Sequence, residues 1–284
     1  MKSTLLKQIF GLHIKTHRRK NKSEGSVINL KIIKFIVAVS LIFVLIGTGA
    51  DAYSPNERIN WFYKSETENT RPNILAGNLP NGIENAIYLG PEGEKKVYLT
   101  FDAGYCNENV IKILDVLKKR NIKAAFFILP GIIKNDPEEV LRMADEGHLV
   151  CNHTTTHCDM SKITDIEEFK RELSGVEALY SERFGLEMEK YFRPPEGAFS
   201  EKTLEFCKNL GYTPVFWSFA YADWDNEKQP DPEKAKDKIF SQLHDGAVIL
   251  LHPTSRTNAE ILDAVIDGII SRGYSFGTID ELKK

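Results

Sequence analysis

The chain has 284 residues, of which 42% are hydrophobic and 27% are charged, a composition typical of a globular protein with one large domain. Its net charge is −3 at pH 7. Without residues 1–52, Lys and Arg fall from 37 to 28 and Asp and Glu from 40 to 38, which leaves a net charge near −10. A chain this acidic argues against nucleic acid as a partner, because phosphate binding needs a basic surface.

The amino-terminal segment differs in composition from the rest of the chain. Residues 1–34 carry nine Lys and Arg and a single acid, and the uncharged run Phe35–Ile46 and a stretch of small residues follow. This order predicts a secretory signal peptide that is cleaved after Ala52. An uncleaved anchor is the alternative, although the apolar run is shorter than the roughly 20 residues of a spanning helix. We expect an exported protein that meets the membrane only through residues 1–52.

Residues 53–94 are rich in Pro, Asn and Gly, and we interpret them as an irregular lead-in that packs on the domain through Trp61 and Phe62. From residue 95 onward, strands and helices alternate about seven times. The predicted strands are Val97–Phe101, Ala124–Leu129, 147–150, Tyr191–Phe192, Pro214–Phe219, Ala247–Leu251 and Tyr274–Ile279. The predicted helices are Asn109–Lys119, a segment between the cap Asp136 and Gly147, Asp165–Phe184, a segment from the cap Ser200 to Leu210, one from Asp231 to near Gly246, and one from the cap Asn258 to Gly273.

This alternation predicts parallel strands with helices outside, in either a doubly wound sheet or a barrel. In both architectures the functional site lies at the carboxyl ends of the strands.

The four cysteines show no spacing typical of a disulfide scaffold, although an exported protein could pair two of them. They are Cys106, Cys151, Cys158 and Cys207.

Two histidines follow the predicted strand at residues 147–150. His153 and His157 are separated by three threonines, which are poor helix formers, so we expect a loop or tight turn rather than a helix. Imidazole is a common ligand of zinc and of most first-row divalent metals. The pair therefore predicts a metal site, and two ordinary loop histidines are the alternative.

Further polar residues come directly after other predicted strands. Taken singly, each fits an ordinary role: a helix cap for Asp102, a mobile surface side chain for Arg193, a loop acid for Asp223 and a core residue for His252. Together with the histidine pair, they favour metal-assisted hydrolysis of an acyl group. Asp102 would take a proton from water on the metal, and His252, oriented by Asp223, would protonate the leaving amine.

Five motifs resemble, in order, those of the polysaccharide deacetylases (carbohydrate esterase family four). They are Thr100-Phe101-Asp102, His153-Thr154-x-x-His157, Arg193-Pro194-Pro195-x-Gly197, Asp223-Trp224 and Leu251-His252. The resemblance covers roughly residues 90–282. It implies a distorted (β/α) barrel, with a catalytic domain over residues 95–284, and metal-dependent removal of acetyl from an N-acetylated sugar.

The resemblance also assigns roles to the motif residues. It implies that Asp102 is the base, that Arg193 holds Asp102, and that Asp223 is the partner of the acid His252. His153 and His157 would bind a divalent metal, with zinc favoured. Three more residues are expected to contact substrate: Tyr105, Pro195 and Trp224.

One position departs from the family pattern. The family usually has a second, metal-binding acid in the first motif, where this chain has Ala103, so we expect weak metal binding or a dispensable metal. Further runs are most similar to the N-acetylmuramic acid deacetylases that act in forming muramic δ-lactam in spore cortex. They are Thr100-Phe101-Asp102-x-Gly104-Tyr105, Phe192-Arg193-Pro194-Pro195-x-Gly197-x-Phe199-Ser200-Glu201, Phe216-Trp217-Ser218 with Asp223-Trp224, and His252-x-x-Ser255-Arg256-x-Asn258-Ala259-Glu260. This similarity implies action on peptidoglycan glycan strands, in the cell wall or at the extracytoplasmic face of the membrane. We expect a monomer. Arg256 is a candidate partner for the lactyl carboxylate, and a plain surface arginine is the alternative.

Two other functions remain open at this point. One is deacetylation of N-acetylglucosamine in peptidoglycan or chitin-like chains. The other is a wall-glycan-binding protein that has lost the chemistry through Ala103.

Overall fold

The computed structural model describes residues 54–283, and the predicted signal segment lies outside the described residues. In the described part, no helix is long and apolar enough to cross a membrane. The strands are β1 Ile59–Asn60, β2 Tyr63–Lys64, β3 Asn73–Ile74, β4 Lys96–Ala103, β5 Ala125–Ile128, β6 Leu149–Asn152, β7 Glu189–Phe192, β8 Ala198–Phe199, β9 Thr213–Pro214, β10 Ala247–Leu251 and β11 Ser275–Gly277. The helices are α1 Glu108–Arg120, α2 Pro130–Asn135, α3 Pro137–Asp145, α4 Ile166–Phe184, α5 Glu201–Asn209, α6 Pro232–Ser241 and α7 Arg256–Ser271.

The central sheet is parallel throughout and curls into a distorted barrel. Its strand order is β10-β4-β5-β6-β7-β9, and β11 pairs with the first residues of β4. The segment after β9 returns to the opposite edge, where Phe219 forms a parallel bridge with Ile249 of β10. The line along which the segment after β9 meets β10 is the seam of the barrel. Elsewhere along this seam, Ile87 of the lead-in bridges to Val215, and Leu89 bridges to Ala247 of β10. The α/β fold and the distorted barrel predicted above are confirmed.

Strand β4 shows how the two sides of the sheet are used. Val97, Leu99 and Phe101 are fully or almost fully buried in the apolar layer between the sheet and the helices. Successive strand residues point to opposite faces, so Thr100 and Asp102 share the inner face of the barrel. The inner face therefore carries the polar groups at the carboxyl end of the strand.

The helices begin and end for local reasons that the sequence contains. The side chain of Asn107 caps α1 by accepting hydrogen bonds from the N–H groups of Asn109 and Val110. Four apolar side chains of α1 are completely buried on one stripe, which stabilises its packing by about 1.5–3 kcal/mol for each side chain. They are Val110, Ile113, Leu114 and Leu117. Ser200 caps α5 as predicted, in a reciprocal capping box with Thr203.

Several predicted elements differ in the structure. The predicted strand Pro214–Phe219 is wrong in extent, since only Thr213–Pro214 belong to a strand. Beyond Pro214 the hydrogen bonds go to several partners: the Phe216 N–H donates to the Ile87 carbonyl of the lead-in at 2.8 Å, and the Ser218 N–H donates to the Val248 carbonyl of β10 at 2.9 Å. Asn258 does not cap α7: Ser255 does, because its hydroxyl accepts from the Asn258 N–H at 3.1 Å.

Two further differences concern the ends of helices. Asp136 precedes α3 as predicted, but its side chain does not cap the helix, because its carboxylate accepts from the Cys106 N–H at 3.0 Å. The helix that begins after Asp231 ends at Ser241 rather than near Gly246. All four cysteines are free, so none of them forms a disulfide in residues 54–283.

The lead-in packs on the domain as an irregular segment. Trp61 is 6% exposed and stacks on Phe216, with ring centroids 4.2 Å apart. Phe62 is not an anchor, as it is 47% exposed. Side chains alternate along an extended segment, so Trp61 and Tyr63 face the domain while Phe62 points outward.

Candidate active site

A cavity of about 580 Å³ lies at the carboxyl ends of the barrel strands. This volume is within the range of about 300–1,000 Å³ that is usual for small-ligand pockets. Its lining residues are Asp102, His153, His157, Glu196, Trp217, Ala220, Tyr221, Trp224, Leu250 and His252. Five of the predicted site residues therefore line one cavity, and Arg193 and Asp223 lie directly behind it.

Asp102 is held by a buried arginine. Arg193 is completely buried, and its Nη1 donates to Asp102 Oδ1 at 2.7 Å. The rest of the guanidinium is fixed by Thr100 Oγ1 at 2.8 Å and by the Val215 carbonyl at 3.1 Å. Burial would raise the pKa of Asp102, but the charge and hydrogen bond of Arg193, with a contribution from nearby histidines, hold it below its ordinary value of 3.8. Asp102 is therefore a carboxylate at neutral pH.

His252 is held in the same way by an acid. Asp223 is 1% exposed, and its Oδ1 lies 2.7 Å from His252 Nδ1 while its Oδ2 accepts from the His252 backbone N–H at 2.8 Å. Burial would lower the pKa of His252, but the hydrogen bond and charge of Asp223, together with the charge of Asp102, raise it above 6.5. His252 is thus suited to carry a proton on Nε2 into the cavity.

The Asp223 carboxylate has a further partner that the sequence analysis interpreted as a helix cap. Asn258 is 1% exposed, and its amide donates to Asp223 Oδ2 at 2.6 Å and to the His252 carbonyl at 3.0 Å. Its own carbonyl oxygen accepts from the Tyr221 hydroxyl. The matching run from His252 to Glu260 contained this signal, since an Asn six residues after the histidine can reach the same acid.

His153 is the better oriented of the two predicted metal ligands. Its Nδ1 lies 2.9 Å from the Arg193 carbonyl, so Nδ1 carries the proton and the lone pair of Nε2 faces the cavity. Burial lowers the pKa of His153 to about 4, which keeps the imidazole neutral. Its Nε2 lies 3.7 Å from Asp102 Oδ2, and its ring centroid lies 5.0 Å from that of His157.

These residues fit a divalent metal, although with few ligands. Two neighbouring imidazoles, one of them oriented through its second nitrogen, are a common donor set for such ions. Ala103 is completely buried among apolar side chains and offers no donor. In the described part of the chain, three potential ligand atoms come within 4.8 Å of one another only at Cys106, Asp136 and Glu139, so His153, His157 and Asp102 are spread more widely.

Of the four residues predicted to contact substrate, only Trp224 is among those that line the cavity in the described part of the chain. Trp224 is 62% exposed and lines the cavity, with its ring centroid 6.3 Å from that of His252. Tyr105 is half-exposed and contacts Asn226 through its hydroxyl. Pro195 is buried, and Arg256 is exposed at the first position of α7; neither is among the cavity-lining residues.

The lead-in supports the wall of the cavity that Trp217, Ala220 and Tyr221 form. The Trp61 indole N–H donates to the Trp217 carbonyl at 2.8 Å. The Tyr63 hydroxyl donates to the Ala220 carbonyl at 2.7 Å and accepts from the Ala220 N–H at 3.1 Å. Sequence reasoning missed Tyr63, because an isolated aromatic residue in an irregular segment gives no periodic signal.

Comparison with known proteins places this geometry in a family. The family model described as "Polysaccharide deacetylase" matches residues 90–215. The chain is 39% identical to the peptidoglycan-N-acetylmuramic acid deacetylase PdaA of Bacillus subtilis. The aligned 255 residues cover 88% of this chain and 96% of that protein. The solved structure of B. subtilis PdaA, a family 4 carbohydrate esterase, superposes with a TM-score of 0.76 at 40% identity, over 81% of this chain and 98% of the other.

A second relative acts on a different sugar. The peptidoglycan-N-acetylglucosamine deacetylase of Bacillus cereus is 31% identical over 199 residues, which cover 69% of this chain and 70% of that protein. The matches to both relatives extend over most of the described domain. The chain therefore belongs to the polysaccharide deacetylases of carbohydrate esterase family 4, which are amide hydrolases acting on polysaccharides.

Proposed function

We propose that this protein removes the acetyl group from N-acetylmuramic acid residues of peptide-free peptidoglycan strands, outside the cytoplasmic membrane. The observation that carries the proposal is the pair of opposed groups in one cavity, Asp102 held by Arg193 and His252 held by Asp223. The muramic substrate is supported by the similarity to PdaA over most of both chains. An extracytoplasmic location follows, because peptidoglycan lies there.

The two groups divide the chemistry between them. Asp102, ionised, accepts a proton from the water that attacks the acetyl carbonyl carbon. His252, protonated, donates from Nε2 to the sugar nitrogen as the carbon–nitrogen bond breaks, which releases acetate and a free amine. When bound at His153 and His157, a divalent metal supplies a Lewis acid for the carbonyl oxygen and acidifies the water.

The charges around the cavity bear on the sugar that enters. An unmodified muramic residue carries a lactyl carboxylate, and Arg256 is an exposed cation with no ion pair in the part of the chain that the structure describes. Glu196 acts in the opposite direction, since its side chain lines the cavity and is 74% exposed. Arg58, 3.7 Å from Glu196, is also bound to Asp159 at 2.8 Å. Because Arg58 is shared with Asp159, Glu196 keeps negative charge at the cavity, and this charge repels the lactyl carboxylate. Glu196 therefore favours a sugar without a carboxylate, which makes N-acetylglucosamine the second candidate.

The test is acetate release from peptide-stripped glycan strands, with the deacetylated sugar identified by mass spectrometry after digestion. We expect deacetylated muramic residues, and a rate lower by about 10²–10⁴-fold in Asp102→Asn, which keeps the shape but removes the base. A product of glucosamine alone would replace the first proposal by the second. Absence of acetate at every metal concentration tried would instead favour a wall-glycan-binding protein.

The same assay tests the metal. Because the ligand set is small, we expect chelator to abolish the rate and an added divalent ion, zinc first, to restore it. A rate that chelator does not change would retain the deacetylase and remove the metal from the proposal.

A further inference from the structure

The loop that carries the two histidines has an unfavourable backbone. Thr154 has a φ of 75° and His157 a φ of 56°. Positive φ is rare for a β-branched residue, and such conformations persist only where the surroundings enforce them. Part of the enforcement is internal to the loop: Asn152 Oδ1 accepts from the Thr154 N–H, and Thr154 Oγ1 accepts from the His157 N–H, both at 2.9 Å.

The rest of the enforcement comes from one residue of α4. Glu172 Oε2 accepts from the N–H groups of Thr155 and Thr156, at 3.2 and 3.0 Å. Its Oε1 accepts from the Thr156 hydroxyl at 3.0 Å, and its backbone carbonyl accepts from the Thr155 hydroxyl at 2.7 Å. Four hydrogen bonds thus connect Glu172 to the two residues between the strained positions.

Close packing against the helix supports the same arrangement. A Cβ atom at Gly175, one turn after Glu172, would lie 2.4 Å from Thr155 Oγ1. The helix therefore allows the loop to approach only because this position is glycine. Loop and helix contact each other through Glu172 and Gly175 together.

We propose that Glu172 is a positioning residue for the metal site: its hydrogen bonds hold the His153–His157 loop in the conformation in which both imidazoles face one ion. The inference rests on the metal site in the proposed function, and Glu172 itself does not contact the cavity. It acts through the backbone, so a side chain that forms the same hydrogen bonds without the charge will serve.

The experiment compares Glu172→Ala, Glu172→Gln and Glu168→Ala, where the exposed Glu168 lies one turn earlier in α4. The first readout is affinity for Zn²⁺ measured by calorimetry. The second is amide hydrogen exchange of residues 154–157 in the metal-free protein. We expect Glu172→Ala to weaken the affinity about 10–100-fold, as is usual for the loss of groups that orient a ligand, and to speed exchange at Thr155 and Thr156.

The other variants are expected to differ from it. Glu172→Gln should stay close to wild type, because its amide oxygen accepts from the two N–H groups and its NH₂ donates to the Thr156 hydroxyl oxygen. Glu168→Ala should change neither readout. Gly175→Ala favours the helix itself but should displace Thr155, so it should also weaken the zinc affinity and speed the exchange. It therefore provides a second test if Glu172→Ala folds poorly.

Two results would overturn the proposal. One is unchanged exchange at Thr155 and Thr156 in folded Glu172→Ala. The other is a Glu172→Gln variant as impaired as Glu172→Ala, which would mean that the charge acts and not the hydrogen bonds. Exchange and zinc affinity are measured without substrate, so they test Glu172 even if the wild type releases no acetate, a result that would count against the proposed function alone.

Discussion

The pKa values of two titratable groups in one cavity are shifted in opposite directions by the side chains behind them. Arg193 keeps the pKa of Asp102 below its ordinary value, and Asp223 keeps that of His252 above its own. Asp102 is therefore ionised at neutral pH, and His252 keeps its proton to a higher pH than an ordinary histidine does. The acid–base pair therefore depends on Arg193 and Asp223 as much as on the two groups facing the cavity.

The dependence on Asp223 gives a prediction for the pH profile. His252 must be protonated to act, so the wild-type rate should persist above pH 6.5 and fall as the pH rises through the raised pKa. Asp223→Asn removes the charge that raises this pKa, and burial then lowers it. The basic limb should move to lower pH, and the rate at pH 7 should fall by about 10² or more.

The measurement is kcat/KM as a function of pH, because this parameter reports the groups of the free enzyme. Asp225→Asn is the matched control, two residues further in the same loop, and should leave the profile unchanged. A basic limb that stays in place in Asp223→Asn would show that His252 is not the acid.

Residues that face each other across the barrel could be predicted only where a motif contained them. Asp102, Arg193 and His252 come at the ends of strands, and the alternation of elements places such ends together. Asn258 was misread because Ser255 provides the cap that its position suggested. Glu172 was missed because its partners are backbone N–H groups of a distant loop, and these have no sequence signature.

At the scale of elements, the lead-in supports the cavity wall from outside the cavity. Tyr63 reaches the wall with its hydroxyl and both donates to and accepts from the Ala220 peptide. Trp61 donates its indole N–H to the Trp217 carbonyl. Its own sheet is limited to the two short strands β2 and β3, and side chains that bond to backbone groups of the domain fix much of the rest. Such contacts give no periodic signal, which explains why the conformation of the segment was not predictable from periodicity.

We expect Tyr63→Phe to weaken this wall. The variant leaves the Ala220 N–H and carbonyl without their partner, which should cost about 1–3 kcal/mol of stability. The KM for glycan should rise, since Ala220 and Tyr221 line the cavity. Urea unfolding and steady-state kinetics measure the two effects. Phe62→Leu, an exposed neighbour, should stay within about 0.5 kcal/mol of wild type, and an equal loss in both variants would contradict a specific role for the Tyr63 hydroxyl.

For the whole molecule, residues before β4 take part in closing the barrel, beside the direct bridge between Phe219 and Ile249. Ile87 and Leu89 bridge the seam between the segment after β9 and strand β10. Arg71 fixes the same seam, because its guanidinium donates to the carbonyls of Gly90 and Asp245 at 2.9 and 2.7 Å. The sequence analysis predicted a lead-in that packs on a domain beginning at residue 95. The hydrogen bonds across the seam could not be predicted, because they are not visible in a helix-and-strand pattern.

This closure predicts where the chain can be shortened. A protein that begins at Lys95 would expose Phe199, Leu204 and Phe216, which the lead-in buries, and would leave backbone groups along the seam without partners. We expect it to aggregate or to lose cooperative thermal unfolding, whereas a protein that begins at Ser54 should unfold in one transition. Calorimetry and size-exclusion chromatography of the two compare them directly. A Lys95 protein that unfolds cooperatively at the same temperature as the longer one would show that the barrel closes without the lead-in.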